Sequence, residues 1–151
     1  MSSRKKEQRV WDAMKNHCPP NVRLERVENG LAAGLPDVHG ISMSLTRWFE
    51  LKHLDVPKLA STPMVKNDTF EVDQVKWHKI YAHFGGTSFA VARDDEMQLY
   101  LIPGRDIPPV LQPGKVGNAP RTALQALNSV QMRMRYGVPN WTELFKRAFA
   151  R

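Results

Sequence analysis

Hydrophobic and polar residues alternate along the 151-residue chain with two different periods, and these periods predict an α/β order of elements. Apolar side chains that recur every three or four positions predict helices over residues 3–16 and 71–84. A period of two predicts strands at residues 22–27, 87–92 and 97–102, with two more strands starting near Asp37 and Trp48. The predicted order is helix, three strands, helix and two strands, which gives a mixed β-sheet flanked by helices.

The pattern also predicts which side chains of the second helix face inward. Trp77, Ile80 and Phe84 recur in one stripe, so we expect them to be core residues. The histidines on or near the two helices are expected at the surface or at helix ends: His17, His78 and His83. His39 follows Asp37 by two positions, so it is expected to share the face of that carboxylate.

The rest of the chain is less periodic. Residues 53–70 carry prolines and polar residues, so a long loop is expected there. Residues 120–135 are compatible with a helix, and Asn140 is a good N-cap for a short amphipathic helix with Glu143 at the capping-box position. We therefore divide the chain into a core at 1–104 and a basic, helical C-terminal extension at 105–151, which packs on the core, binds DNA or forms a dimer.

Charge indicates the kind of partner. The chain carries 22 Lys and Arg against 15 Asp and Glu, a net charge of +7. The excess lies mainly in residues 105–151, where eight Lys and Arg face two Asp and Glu. Such a surface attracts a polyanion, and the attraction weakens steeply with salt. We expect DNA contacts from six lysines and arginines: Lys58, Lys66, Arg133, Arg135, Lys146 and Arg147.

Several classes of protein are disfavoured by what the sequence lacks. Cys18 is the only cysteine, so no disulfide forms within the chain, which fits a reducing cytoplasm. No apolar stretch has the length of a signal-peptide core or a membrane span, so we expect a cytoplasmic protein without a membrane partner. The chain has no Walker loop, Gly-x-Gly-x-x-Gly or Gly-x-Ser-x-Gly motif, which argues against a nucleotide cofactor and serine-hydrolase chemistry. Zinc-site spacing is also missing.

The candidate chemistry lies in two short segments, Pro36-Asp37 and Glu50-Leu51-Lys52. Residues two apart in a strand point to the same face, so Glu50 and Lys52 share one face. A hairpin between the two strands, turning near residues 40–44, would bring Asp37 beside Glu50. Two carboxylates suit Mg²⁺ or Mn²⁺, and an adjacent ammonium group can hold an attacking water or stabilise a phosphorane.

These two segments resemble the PD-(D/E)xK nuclease superfamily, and within it the small VRR-NUC and Holliday-junction-resolvase-like members. The resemblance covers about residues 4–102 and implies a restriction-endonuclease-like core. It also implies site roles for Glu7 on the first helix and Gln74 on the second, with the backbone carbonyl of Leu51 as a further metal ligand. Glycine-bearing residues before the Pro-Asp step are expected to allow close backbone passage: Asn29, Gly30 and Gly34.

The resulting functional prediction is a Mg²⁺-dependent endodeoxyribonuclease, with Mn²⁺ as a substitute, that acts on branched or four-way-junction DNA. Symmetric cutting of a junction would require a homodimer. The compact organisation suits a phage or mobile-element protein acting in a bacterial cytoplasm. Three alternatives stay open: a flap, single-strand-specific or restriction-like nuclease; a DNA-binding module without turnover; and an RNA-processing nuclease.

Overall fold

The computed structural model describes residues 2–28, 32–59, 63–65, 69–107, 119–120, 130–132 and 140–151. Its helices are α1 (Ser3–Asn16), α2 (Val72–His83) and α3 (Trp141–Ala148), with a 3₁₀ turn at Gly104–Asp106. Its strands are β1 (Arg23–Arg26), β2 (Val38–Ser42), β3 (Leu45–Leu54), β4 (Pro63–Val65), β5 (Ser88–Asp94), β6 (Leu99–Pro103), β7 (Ala119–Pro120) and β8 (Val130–Met132).

Six of these strands form one mixed sheet in the order β1-β2-β3-β5-β6-β8. β3 and β5 pair in parallel and are joined by the crossover that contains α2, whereas the other neighbours in this sheet are antiparallel. The β2–β3 hairpin turns at Met43 and Ser44, which both have positive φ. The predicted fold class, an α/β core with a mixed sheet flanked by helices, is confirmed.

Alternation along β3 separates two apolar layers, one on each face of the sheet. Phe49 and Leu51 point to the layer that α1 and α3 cover, where Val10, Met14 and Trp141 are also buried. Leu54 points to the opposite layer, which α2 covers; its other members are Val65, Phe70, Val75, Ala90, Ala92, Tyr100, Ile102 and Ile107. A strand buried on both faces is rigid enough to position the polar side chains that it also carries.

Local capping fixes where the helices begin. The Ser2 side chain accepts a hydrogen bond from the Lys5 N–H at the start of α1. Asn140 caps α3 as the sequence predicted, with its Oδ1 atom 3.2 Å from the Glu143 nitrogen. Among the described residues, none of the helices is both long and apolar enough to cross a lipid bilayer.

The predicted inward stripe of α2 is wrong. Ile80 is 59% exposed, Phe84 is 81% exposed and Trp77 is half-buried, whereas Val75 and His78 face the sheet. Helical spacing alone could not identify this face, because the buried side is set by the contacts that α2 makes with β3 and β5. His78, expected at the surface, is fully buried.

Two segments contain strands where the sequence predicted a loop and a helix. β3 continues to Leu54 and β4 occupies residues 63–65, so residues 53–70 are not a continuous loop. The helix expected over 120–135 is wrong where the chain is described, because Pro120 lies in β7 and residues 130–132 extend the edge of β6. Pairing with a distant strand overrides local helical spacing. Residues 121–129 and 133–135 lie outside the described residues.

Candidate active site

The site begins where β2 stops pairing with β3. The last β2–β3 pair is Val38 with Phe49, whereas β3 continues beside β5 as far as Leu54. Beyond Phe49, the carboxylate of Asp37 replaces the missing strand, because its Oδ2 atom accepts a hydrogen bond of 2.8 Å from the Leu51 N–H. The Asp37 carbonyl in turn accepts from the Val27 N–H at 2.8 Å. The Pro-Asp step is thereby held at the free edge of β3.

Leu51 also presents its carbonyl to this edge. In a β-strand, the N–H and C=O of one residue point to the same side, and the Leu51 N–H points to Asp37. Glu50 and Lys52 alternate with Leu51, so their backbone groups face β5 and their side chains share the α2 face of the sheet. This is the arrangement predicted from the spacing of Glu50 and Lys52.

Glu50 and Lys52 are both buried, with 1% and 8% of their surfaces exposed. The Lys52 Nζ atom lies 3.4 Å from Glu50 Oε1 and 3.7 Å from Glu7 Oε1. Glu7 comes from the second turn of α1, which crosses the free edge of β3. Lys52 is therefore an ammonium group held between two carboxylates from different elements.

Gln74 fixes the orientation of Glu50 from the first turn of α2. Its Nε2 atom donates a hydrogen bond of 2.6 Å to Glu50 Oε1, and its Oε1 atom accepts one of 2.9 Å from the Glu71 N–H. Both ends of the amide are used, so its orientation is defined by the network. Gly34, with φ of +79°, packs against this turn, where an added Cβ would lie 2.1 Å from the Asp73 carbonyl oxygen. The close passage expected of Gly34 is confirmed; Asn29 and Gly30 lie outside the described residues.

The electrostatics of the site disfavour negative charge. Burial, followed by the charge of Asp37, raises the pKa of Glu50 well above its usual range, although Lys52 opposes the shift. Burial also raises the pKa of Glu7, where Lys52 again opposes the shift and Asp37 adds to it. Glu7, Asp37 and Glu50 therefore share one cleft, and the Lys52 ammonium group does not offset the burial of Glu7 and Glu50 fully.

Glu50 Oε2 provides the test of whether a metal ion suits these residues. This atom is buried and has no hydrogen-bond partner among the described residues, although the other oxygen of the same carboxylate contacts Gln74 and Lys52. A buried carboxylate oxygen without a partner is costly, and a divalent cation would relieve that cost. Hard oxygen donors from several carboxylates are the ligands that Mg²⁺ and Mn²⁺ prefer, so the donor set fits such an ion.

These groups line a polar cleft of about 530 Å³. Its lining adds residues that the sequence reasoning missed: Ser3, Arg4, His53, Leu54, Asp55, Thr69 and Glu71. Arg4 could have been found from its spacing, because it precedes Glu7 by one turn of α1. His53 and Asp55 gave no such signal, because their position depends on where β3 ends. His53 Nε2 lies 2.8 Å from Asp95 Oδ1 and 3.6 Å from Asp55 Oδ1.

The structure does not bring every predicted residue to this cleft. Lys58 is exposed but is absent from the lining, while Lys146 and Arg147 lie on α3, on the opposite face of the sheet. His39 contacts Trp48, with ring centroids 4.8 Å apart, and does not line the cleft, so the prediction that it shares the face of Asp37, within reach of the site, is wrong. Asp37 precedes β2 and turns towards Leu51, so strand alternation does not relate it to His39. Three predicted DNA contacts lie outside the described residues: Lys66, Arg133 and Arg135.

Comparison with known proteins gives a likeness of fold. No protein-family model matches the chain, and no curated protein matches it. Among solved structures, the chain is similar to a Holliday junction resolvase from the archaeal hyperthermophile Archaeoglobus fulgidus. The TM-score is 0.45 at 13% sequence identity, and the alignment covers 82% of this chain and 88% of that one. A likeness of this degree carries no argument about activity, which must come from the site itself.

Proposed function

We propose that this chain is a metal-dependent endonuclease that hydrolyses phosphodiester bonds in DNA. The observation that carries the proposal is the buried, unpartnered Glu50 Oε2 atom, which lies in a cleft with Glu7, Asp37 and Lys52. Carboxylates with one ammonium group at the edge of a strand are suited to binding a divalent ion and a phosphodiester together. The net charge of +7 favours a polyanionic substrate.

The residues that would hold Mg²⁺, with Mn²⁺ as a substitute, are Asp37, Glu50, Glu7 and the carbonyl of Leu51. When bound, the ion supplies positive charge against the phosphate and lowers the pKa of a coordinated water. The protein contributes preorganisation. Leu51 N–H fixes Asp37 and Gln74 fixes Glu50, so both carboxylates keep their positions without rearrangement during the reaction.

We assign the handling of the nucleophile to Lys52. Its three N–H donors would orient the attacking water oxygen and stabilise the negative charge that develops on the phosphorane. Water attacks phosphorus, the bond from phosphorus to the 3′ oxygen breaks, and the products are a 5′-phosphate and a 3′-hydroxyl group. Glu7, with its raised pKa, is suited to share a proton with Lys52 or with water in the cleft.

The proposed substrate is branched DNA, with the four-way junction as first choice. The resemblance of the Asp37 and Glu50-x-Lys52 segments to junction-resolvase-like nucleases supports this choice, and it implies a homodimer that cuts two strands symmetrically. The same resemblance supports a phage or mobile-element protein acting in a bacterial cytoplasm. These finer assignments depend on the substrate test below.

A cleavage assay tests the function directly. Labelled four-way junction, flap, duplex and single-stranded DNA, together with an RNA duplex, would be incubated with Mg²⁺, with Mn²⁺ and with EDTA. We expect metal-dependent, paired cuts near the junction centre. Glu50→Ala and Lys52→Ala should abolish them, whereas Lys79→Ala, which removes an exposed lysine of α2 outside the cleft, should not.

Each other outcome selects a different function. Metal-dependent cutting of another DNA keeps the site and removes the junction assignment. Preference for a substrate with 2′-hydroxyl groups indicates an RNA nuclease. Binding of DNA without cutting in any metal overturns the enzyme proposal and indicates a DNA-binding module.

A further inference from the structure

A second, smaller cavity of about 200 Å³ lies beside the cleft, between α1 and the ends of β3 and β5. Its lining combines basic side chains with two carboxylates and a methionine: Lys6, Arg9, His53, Arg93, Asp94, Asp95 and Met97. His53 also lines the catalytic cleft. His53 and Arg93 are direct neighbours in the parallel β3–β5 register. Both continue the row of side chains on the α1 face of the sheet, so α1 lies above them.

Arg93 is held in this cavity with only 9% of its surface exposed. Its Nε atom is buried and has no hydrogen-bond partner among the described residues. Burial, together with the like charge of Arg9, lowers the pKa of Arg93, but a guanidinium group stays protonated in proteins. Arg9 lines the same cavity, so two guanidinium groups share it, which is unfavourable unless an anion joins them.

The carboxylates around the cavity already have other donors. Asp55 lies 2.6 Å from the Lys6 Nζ atom. Asp95 contacts the His53 ring and accepts from the Val56 N–H at 3.0 Å. The last, Asp94, accepts hydrogen bonds from the Tyr100 hydroxyl and from the backbone N–H groups of residues 96 and 98. Among the described residues of this cavity, the pairing of these acids leaves Arg9 and Arg93 as the cations available for a ligand.

We infer that Arg9 and Arg93 form a binding site for a phosphate group next to the catalytic cleft. The planar fork of a guanidinium group matches two oxygens of a phosphate, and two such groups on opposite walls can grip one anion. Because His53 borders both cavities, a strand whose scissile phosphate lies at Lys52 would carry another of its phosphates to Arg93. This choice of a strand phosphate rests on the proposed function, whereas the oxyanion site itself does not.

The direct test uses inorganic phosphate and the side-chain Nε–H resonance of Arg93 in protein labelled with ¹⁵N-arginine. In the wild-type protein, phosphate should shift this resonance saturably, and chloride at equal ionic strength should not. Arg9→Gln, at an exposed position of α1, should weaken phosphate binding at least about tenfold, the size of one charge-assisted contact. Lys15→Gln removes the same charge two turns along α1 and should leave the affinity unchanged.

Arg93→Lys separates charge from geometry, since lysine keeps the charge but lacks the planar fork. Binding to this variant is followed by the thermal stabilisation that phosphate gives, which should fall to the level given by chloride. The absence of a saturable shift in the wild-type protein, or an equal loss in Lys15→Gln, would overturn the site.

DNA binding in EDTA identifies the source of the phosphate. If a strand phosphate occupies the site, Arg9→Gln should reduce the slope of log Kd against log salt by about one phosphate contact. If Arg9→Gln leaves the slope unchanged while the wild-type protein binds inorganic phosphate as expected, the site belongs to a free oxyanion and the strand assignment is overturned. Because neither measurement requires cleavage, an inactive protein would still give a clear answer about the site.

Discussion

One face of α2 makes two polar contacts with the sheet, one turn apart, and they differ in what surrounds them. Gln74 donates to Glu50 at the open end of the layer, where Glu50 borders the cleft. His78 lies 2.7 Å from the Ser88 hydroxyl at the closed end. Gly104 covers that pair, since a Cβ there would come within 2.2 Å of Ser88 and 2.8 Å of His78.

Burial moves both titratable groups towards their neutral forms. It raises the pKa of Glu50 and lowers the pKa of His78 to about 4, with Lys52 adding to the second shift. Only Glu50 is joined by Asp37 and Glu7 in a cleft that a cation can enter. Burial alone therefore does not define the site. The buried group must also lie where a bound ligand can stabilise its charged form.

The largest expected effect comes from neutralising Glu50, at the open end of the layer. Glu50→Gln should lower the rate of cleavage by about a thousandfold, within the range for losing one charged catalytic group. Because the pKa of Glu50 is raised in the folded protein, its contribution to the free energy of unfolding is fully present below its ordinary pKa near 4.5. That contribution is lost as the pH rises through the raised pKa. In EDTA at neutral pH, the variant should therefore melt at the same temperature as the wild type or higher.

Glu25→Gln is the matched control for this substitution. Glu25 is an exposed residue of β1 that pairs with Arg23, and such surface pairs contribute little. Cleavage and melting should both stay near the wild-type values. If Glu50→Gln instead melts well below the wild type in EDTA while keeping its activity, Glu50 is a structural residue.

A pair of substitutions at Asp37 separates its structural contact from its charge. Asparagine keeps an oxygen that can accept the Leu51 N–H, whereas alanine leaves that N–H without its acceptor. Both variants should lose cleavage by at least about a hundredfold. Only Asp37→Ala should reduce the free energy of unfolding, by about 1–2 kcal/mol, as measured by denaturant titration. Equal stability of the two variants would contradict the role of Asp37 as a replacement for the strand.

Local alternation made the centre of the site predictable. A period of two placed Glu50 and Lys52 on one face, and the Pro-Asp step predicted a neighbouring carboxylate. The family resemblance added Gln74 and Glu7, and the structure places all five residues in one cleft. Their catalytic roles remain proposals.

Contacts between distant elements account for what the sequence did not reveal. The buried face of α2 depends on its packing against β5, so His78 could not be identified as a buried residue from helical spacing. The strand at residues 130–132 depends on the free edge of β6. The predicted strand ended at residue 92, whereas β5 continues through Arg93 to Asp94. The burial of Arg93 beneath α1 depends on the crossing of that helix, which no local period encodes.

A smaller effect is expected from Gln74, which connects α2 to Glu50 at the open end of the layer. Gln74→Ala removes the donor to Glu50 Oε1 and the acceptor for the Glu71 N–H. We expect about a tenfold loss in kcat and a loss of about 1 kcal/mol in stability. Gln74→Glu keeps an acceptor for the helix start but opposes Glu50 with a like charge, so its activity should fall without the capping loss. Full activity in both variants would exclude an orienting role for Gln74.

The smallest effect on cleavage is expected at the closed end. His78→Gln should leave cleavage unchanged at neutral pH but alter the dependence of stability on pH. A lowered pKa means that His78 contributes stability fully above its ordinary value of 6.5 and loses it as pH falls towards about 4. Between these values, the wild-type free energy of unfolding should fall more steeply than that of the variant, by about 1 kcal/mol per pH unit. His83→Gln, at an exposed position of the same helix, should keep the wild-type slope. Parallel pH profiles for wild type and His78→Gln would show that the closed end tolerates charge, and the contrast with Glu50 would then rest on the cleft alone.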